Sequence, residues 1–308
     1  MAFGASNVII SNADTAGFVP EIWSDEIFAA KKQNLVLAGL VRRLMVKGKK
    51  GNVVNLPVPT RGSASAKATN ATVTTIIAGG TAATVTLGQH WEYSRLIEDV
   101  VTIQANPSLR KFYTDDAGYA LADAVDDYLF TVYRNVNGGD GTNSWTGAVL
   151  AGDGSTAFVD AAGAANSTVI TDAGIRRVIQ TLDDANMPMN GRFLVVPPVG
   201  RRHMMGIARF TEQAFSGDGK AILNGKLGAV YGVSVHVSTN CPTPSAATSA
   251  RIGVIAHEDA IVLAEVSGPR VQTQYKQEYL ATLLTADTLF GAGEVYDAGA
   301  VAIAMPLS

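Results

Sequence analysis

Four histidines and one cysteine are the side chains in this sequence best suited to holding a metal or attacking a substrate. His90, His203, His236, His257 and Cys241 lie far apart along the chain. His257–Glu258 opens like the His-Glu-x-x-His motif of zinc proteases, where two histidines one helical turn apart share a face. Position 261 is Ile, so the second ligand is missing. Cys241 has no second cysteine with which to share zinc or form a disulfide. Gly217-Asp218-Gly219-Lys220 resembles a phosphate-cradling loop, yet Ala221 stands where Ser or Thr would hold magnesium. Gly291-Ala292-Gly293 lacks the third glycine of a dinucleotide-binding turn. No serine sits in a Gly-x-Ser-x-Gly elbow. Asp126–Asp127 and Asp183–Asp184 are adjacent pairs on helices. Neighbouring helical residues point in different directions, so these pairs read as solvated faces and not as an acid–base couple. The expectation is a protein that is not an enzyme and needs no cofactor or metal.

The elements that would have to position such groups point to assembly. Asn106 is a good helix N-cap and Pro107 suits the first helical position. Leu109, Phe112, Tyr113, Ala117, Ala120, Leu121, Ala124, Val125, Tyr128, Leu129 and Val132 then recur at spacings of three and four, which makes one apolar stripe. Lys111, Asp115, Asp123, Asp126, Asp127 and Arg134 fall on other faces, and Asn137, Gly138 and Gly139 stop the helix. A helix over 107–136 would be about 43 Å long, whereas a compact chain of this size has a radius of gyration near 19 Å. Just before it, residues 51–95 read as a β-hairpin. Val54, Leu56 and Val58 alternate with Asn55, Pro57 and Pro59, an edge strand at best because proline cannot donate to a ladder. Thr72–Ile77 and Ala83–Leu87 are two further runs, joined through Gly79–Gly80. In the second, Ala83, Val85 and Leu87 share one face and Thr84 and Thr86 the other. A two-stranded ribbon is marginal alone, so its apolar face needs a cover, plausibly a second copy of the chain.

Composition agrees. At 47% hydrophobic and 17% charged residues the chain is apolar for a soluble monomer, which suggests buried subunit interfaces. No run reaches the roughly 18 apolar residues of a membrane span. The first basic residue is Lys31, so no signal peptide is expected, and the single cysteine suits an intracellular origin. A net charge of −3 argues against a general nucleic-acid binder. Arg42, Arg43, Lys47, Lys49 and Lys50 form a local basic cluster. It is either a solvated turn or a contact with an acidic neighbour or packaged nucleic acid.

Elsewhere, residues 1–19 read as an extended arm, and Pro20 opens a short helix with Ile22, Trp23, Ile27 and Phe28 on one side. Residues 138–168, rich in small and polar types, read as a surface insertion with short strands near Val149 and Phe158. Thr171 caps a helix over Asp172–Asn186, with Ile175, Val178, Ile179 and Leu182 inward and Pro188 beyond its end. Phe193–Val196 reads as a buried strand and Pro198–Phe210 as a third helix. A glycine-rich segment spans 211–228, and strands follow at Val233–Val237, Ile252–Ile255, Ala260–Ala264 and Gly299–Met305.

This order of parts resembles the major capsid proteins of tailed bacteriophages, the α+β fold named for phage Hong Kong 97. The residues that carry the likeness are Phe18-Val19-Pro20-Glu21-Ile22-Trp23-Ser24, then Leu182-Asp183-Asp184-Ala185-Asn186-Met187-Pro188 leading into Arg192-Phe193-Leu194-Val195-Val196-Pro197-Pro198, and Gly228-Ala229-Val230-Tyr231-Gly232-Val233-Ser234-Val235. The resemblance implies an N-terminal arm over 1–47 and an extended β-hairpin loop over 48–95. It implies a peripheral domain over 96–170 and 266–308, with a spine helix over 107–136, and an axial domain over 171–265. It also implies a self-assembling icosahedral shell of pentamers and hexamers, built in the host cytoplasm, that becomes the virion capsid. That shell would enclose double-stranded DNA without reading its sequence and without contacting a membrane. A separate scaffolding protein, a portal protein and a decoration protein are the expected partners. The candidate inter-subunit contacts are Trp23, Arg42, Arg43, Lys49, Lys50, Arg61, Lys67 and Trp91. An encapsulin-like nanocompartment shell is the alternative with the same fold.

Overall fold

The computed structural model describes residues 35–47, 51–59, 62–73, 75, 79–100, 109–138, 145, 149–207, 210 and 228–307. The expected arm over 1–19, the Pro20 helix with Trp23, the helix cap at Asn106–Pro107, and nearly all of the 211–228 segment lie outside these residues, as do Lys49, Lys50 and Arg61.

The long helix, α2, runs over Leu109–Val132. Its 24 residues make it about 36 Å long. Turns over 133–138 follow, and Asn137 and Gly138 take left-handed φ values of 58° and 78°, which ends the helical path where the sequence placed the stop. Its first half lies on a four-stranded sheet and its second half enters the main core. That sheet has the order β1-β10-β11-β4, from β1 (Arg42–Met45), β10 (Ile261–Lys276), β11 (Ala281–Glu294) and β4 (Gln89–Glu98). Only the β1–β10 pairing is parallel. Ala117 and Leu121 of α2 pack on Ala286 and Tyr93 of this sheet.

A second sheet has the order β5-β12-β9-β6-β8-β7. Its strands are β5 (Val149–Ala151), β6 (Arg192–Val196), β7 (Ala229–Val230), β8 (Val233–Val237), β9 (Ala250–His257) and β12 (Ala300–Pro306). Both of its faces are covered. Phe193, Val195, Val254, Ile252 and Ala302 join Leu129 and Phe130 of the long helix, and Tyr133 and Val136 of the turns after it, in one cluster. Leu194, Val196, Ile255, Val301 and Ile303 face α3 (Asp172–Asp184) and α4 (Pro198–Met205) through Ile175, Val178, Leu182 and Met204. Burial on two sides is why residues 193–196 read as an unbroken apolar run. Thr171 caps α3 as expected, its hydroxyl accepting from the Gly174 amide at 3.1 Å.

Several expectations give way. Residues 35–47, assigned to the arm, are packed into the body. The short helix α1 (Leu37–Leu40) buries Leu37 fully, and β1 adds in parallel to β10. The 138–168 segment is exposed at 155–157 and 161–163 and carries the strand expected near Val149, but it is not purely superficial, because Trp145, Val149 and Phe158 lie in the main core and β5 pairs with β12. The division at 170 and 266 does not follow the sheets. Strands β5 and β12, expected with the long helix, belong to the six-stranded sheet, and β10 begins before residue 266. The helix expected to reach Phe210 ends at Met205, before Gly206. Asp126, expected on a solvated face, is wholly buried.

Candidate assembly surfaces

The hairpin consists of β2 (Val53–Pro59) and β3 (Gly80–Thr86), antiparallel with Val53 opposite Thr86 and Pro59 opposite Gly80. The Thr72–Ile77 run is not β3's partner. Residues 71–73 and 75 are not strand, and the proline-bearing run at 53–59 takes that place. Both strands alternate as the sequence predicted. Val54, Leu56 and Val58 are partly covered, Val85 and Leu87 are buried, and Thr84 and Thr86 are exposed. At the root, the cover for that apolar face comes from the same chain. Val85 and Leu87 pack with Val46 and Ala264, and Leu44, Val54, Leu56 and Val266 close around them.

The seat beneath the hairpin is made of glycine. On β11, a Cβ at Gly291 would lie 2.2 Å from the Thr86 carbonyl oxygen, and one at Gly293 would lie 2.9 Å from a Val85 methyl. Alternating glycines thus leave one face of β11 bare where another backbone crosses it. Beyond this root the hairpin borders clefts against the body. Clefts of ≈ 250 Å³ and ≈ 610 Å³ open beside β2, the larger between Val58–Pro59 and the turn Ala185–Pro188. All of residues 62–73 are exposed, Lys67 among them.

Of the other candidate contact residues, Arg42 and Arg43 sit together on β1, and each is held by a carboxylate of its own chain. Arg42 pairs with Asp259 at 2.8 Å. Arg43 donates to the Ala38 carbonyl at 2.8 Å and lies 3.9 Å from Glu265. Trp91, on β4, is 45% exposed and donates to Gln89 at 3.3 Å. Arg42 and Arg43, as neighbours on a strand, point to opposite faces and bind different partners, and Lys67 and Trp91 lie on separate elements, so the structure does not gather these residues into one site.

Sequence reasoning missed the other projecting tip. The β10–β11 turn exposes Tyr279 and Leu280, at 63% and 66%, and Leu280 is left-handed with φ 45°. Val271 and Tyr275 are also exposed on the nearby half of β10, where Tyr275 donates to Asp99 at 2.7 Å. The period-two alternation of Val271, Thr273 and Tyr275 with Gln272 and Gln274 was the available signal. On the opposite face of this sheet, Asp287 accepts two bonds from Arg270, both at 2.7 Å, and lies 3.2 Å from His90. The Arg270 contact, helped by His90 and opposed by burial, holds the Asp287 carboxyl down at about 2.

Two polar groups sit deeper. Asp126 accepts from the Ala38 amide at 3.2 Å and from Asn240 at 3.5 Å, tying α1 and the loop after β8 to the long helix. Desolvation pushes its carboxyl up despite these bonds, and burial likewise raises the Cys241 thiol, which suits a core residue more than a nucleophile. His257, Glu258 and Asp259 bring ligand atoms within 4.8 Å of one another. Two of the three are already engaged: His257 Nδ1 accepts from the Asp259 amide at 3.1 Å and the Asp259 carboxylate holds Arg42. The three residues are consecutive and lie at the turn between β9 and β10.

Residues 112–303 match the family of phage capsid proteins. The chain belongs to that family. No curated protein sequence matches this capsid protein. Its fold recurs in solved phage structures at low identity. A Mycobacterium phage Che8 structure is 21% identical with a TM-score of 0.72, over 93% of this chain and 97% of that one. The capsid of cyanophage P-SCSP1u is 18% identical with a TM-score of 0.75, over 100% of each. An acidic stable capsid of Helicobacter pylori bacteriophage KHP30 is 12% identical with a TM-score of 0.73, over 99% and 100%. The Hong Kong 97-type α+β fold expected from the sequence is the one found. This capsid protein forms the phage shell from many copies and resides in the virion, and the nanocompartment alternative is not favoured.

Proposed function

We propose that this capsid protein closes an icosahedral shell of pentamers and hexamers around double-stranded DNA. The four-stranded sheet with the long helix serves as its peripheral domain, and the six-stranded sheet with α3 and α4 as its axial domain. The observation that carries this reading is a hairpin whose root is packed on the body and whose residues 62–73 are all exposed, in a member of the phage capsid family. A projection of that kind satisfies its apolar face at home and offers its tip to a neighbour. Lys67 at the hairpin tip, Trp91 on β4 and the Tyr279–Leu280 turn are the contacts we assign to adjacent copies, with Trp23, Lys49, Lys50 and Arg61 as further candidates. A net charge of −3 suits an inner wall that neither grips DNA nor depends on its sequence. Assembly in the host cytoplasm with scaffolding, portal and decoration proteins completes the reading, and the chain performs no catalysis.

Replacing residues 62–79 by a two-residue turn tests it. The root cluster is untouched, so the variant subunit should fold with the native circular dichroism spectrum. Electron microscopy should then find no closed shells under conditions where the parent chain assembles. Shells of normal size and yield from the shortened chain would refute the role given to the hairpin.

A further inference from the structure

Two Asn-Gly pairs fall among the described residues, Asn137–Gly138 and Asn190–Gly191, and the fold treats them oppositely. At such a pair the chain can attack itself, because glycine has no Cβ to shield its amide nitrogen from the preceding carboxamide. Asparagine is among the thermolabile residues for this reason. At the first pair the nucleophile is occupied. The Gly138 amide donates to Asp297 Oδ1 at 2.9 Å, and the Asn137 amide donates to the Asp297 carbonyl at 2.9 Å. At the second pair both residues are exposed. The Gly191 carbonyl accepts from the Glu258 amide at 3.1 Å, but among the described residues neither the Gly191 N–H nor the Asn190 side chain has a hydrogen-bond partner. Gly191 has a φ of +79°, and a Cβ there would lie 2.9 Å from Glu258 Oε1, so that carboxylate stands beside the peptide.

We propose that Asn190 is a self-modification site, which deamidates through attack by the free Gly191 amide while Asn137 is protected by Asp297. The Gly191 nitrogen bonds to the Asn190 side-chain carbonyl carbon. The carbon–nitrogen bond of the carboxamide breaks, and its nitrogen leaves as ammonia with the proton lost from Gly191. Water then opens the cyclic imide at either carbonyl, giving aspartate or isoaspartate, so the net change is one water consumed and one ammonia released. The product is a new carboxylate in the α3–β6 turn, which already holds Asp183 against Arg192 at 2.7 Å. The isoaspartate form also lengthens the backbone just before β6, a strand at the centre of the six-stranded sheet.

Peptide mapping by mass spectrometry decides the matter. The purified full chain is incubated at mildly alkaline pH, folded in one sample and in concentrated urea in the other. In urea both pairs should react alike. In the folded sample Asn190 should react on the order of tenfold faster than Asn137 or more, since a hydrogen bond to a charged acceptor must break before Gly138 can attack. Asp297→Ala should release Asn137 and leave Asn190 unchanged. Equal rates at the two sites in the folded chain, or an inert Asn190 while the urea sample reacts, would overturn the proposal. The wild-type comparison stands even if the Asp297 variant fails to fold.

Discussion

Gly291→Ala puts the hairpin seat to the test. The added methyl would lie 2.2 Å from the Thr86 carbonyl oxygen, 3.0 Å from its carbonyl carbon and 3.1 Å from the Leu87 Cα. All three are backbone atoms, so no side-chain rotation relieves the clash. Relief to an ordinary contact needs the root to lift by about 1 Å. Gly293, two residues along β11, is the nearest pivot, about 7 Å away at roughly 3.4 Å per residue. A 1 Å lift over that lever tilts the hairpin by about 8°, and about 20 Å further out the tip moves by about 3 Å. Overpacking of this kind costs about 1–3 kcal/mol. The root cluster is small, with Val46, Val85, Leu87 and Ala264 as its buried members, so we expect the hairpin to loosen while the body stays folded. Hydrogen exchange should accelerate over 53–59 and 80–87 and stay unchanged in β6 and β9, and shells should be fewer or misshapen. Gly293→Ala should be milder, because its methyl would meet a Val85 methyl at 2.9 Å and no backbone atom nearer than the Thr84 carbonyl oxygen at 3.2 Å. Gly118→Ala, where a Cβ meets nothing within 4 Å, is the control that should assemble normally. Unchanged hairpin exchange and wild-type shells from Gly291→Ala would refute the reasoning.

Asp126→Ala strips the Ala38 amide and the Asn240 carboxamide of their shared acceptor. We expect a loss of about 1–3 kcal/mol, read by urea denaturation and concentrated in exchange of residues 35–41. Asp287 is held down at about 2 by Arg270, so its contribution is complete above the unfolded carboxylate value of about 4 and is lost as pH falls from there through about 2. Asp287→Asn should therefore flatten the acid limb of the stability curve between about pH 4 and pH 2, measured by thermal melts in low salt.

How much the sequence revealed depends on whether a signal was local. The alternation of Val85 and Leu87 with Thr84 and Thr86 was legible because one face of β3 is covered and the other is wet. Its partner was not. Thr72–Ile77 is as β-branched as a strand and Gly79–Gly80 reads as a tight turn, so local chemistry favoured the wrong neighbour over a pairing closed across some twenty residues. The burial of Asp126 had a readable trace. Asp126, Phe130 and Tyr133 are spaced four and three apart and fall on one buried face. Residue type overrode position, since carboxylates are rarely buried without a partner, and the Ala38 amide that supplies one lies 88 residues away. Gly291-Ala292-Gly293 was noticed for a cofactor motif that it fails. Its meaning lies in the missing side chains on one strand face, which only the crossing of β3 explains.

The root and the tip of the hairpin answer different physical demands. Because the root is closed by residues of the same chain, the packing that aims the hairpin does not depend on a neighbour. The tip has the opposite character. Over 62–73 the residues are Gly, Ser, Ala, Lys, Thr and Asn apart from Val73, so little apolar area is available for burial. At ~25 cal/mol per Å², a contact that removed even ~200 Å² of apolar surface would yield about 5 kcal/mol. Bringing two free bodies together costs about 4–15 kcal/mol. A gain of about 5 kcal/mol at best only matches the low end of that cost, so a tip contact of this composition holds a pair of subunits weakly or not at all by itself. Under the contacts we propose, it becomes favourable once other surfaces, such as the exposed Tyr279–Leu280 turn, have brought the copies together and raised the tip's effective concentration at its target. The hairpin is therefore suited to locking a lattice already begun, and a misplaced subunit, held by few such contacts, is free to leave before the shell closes.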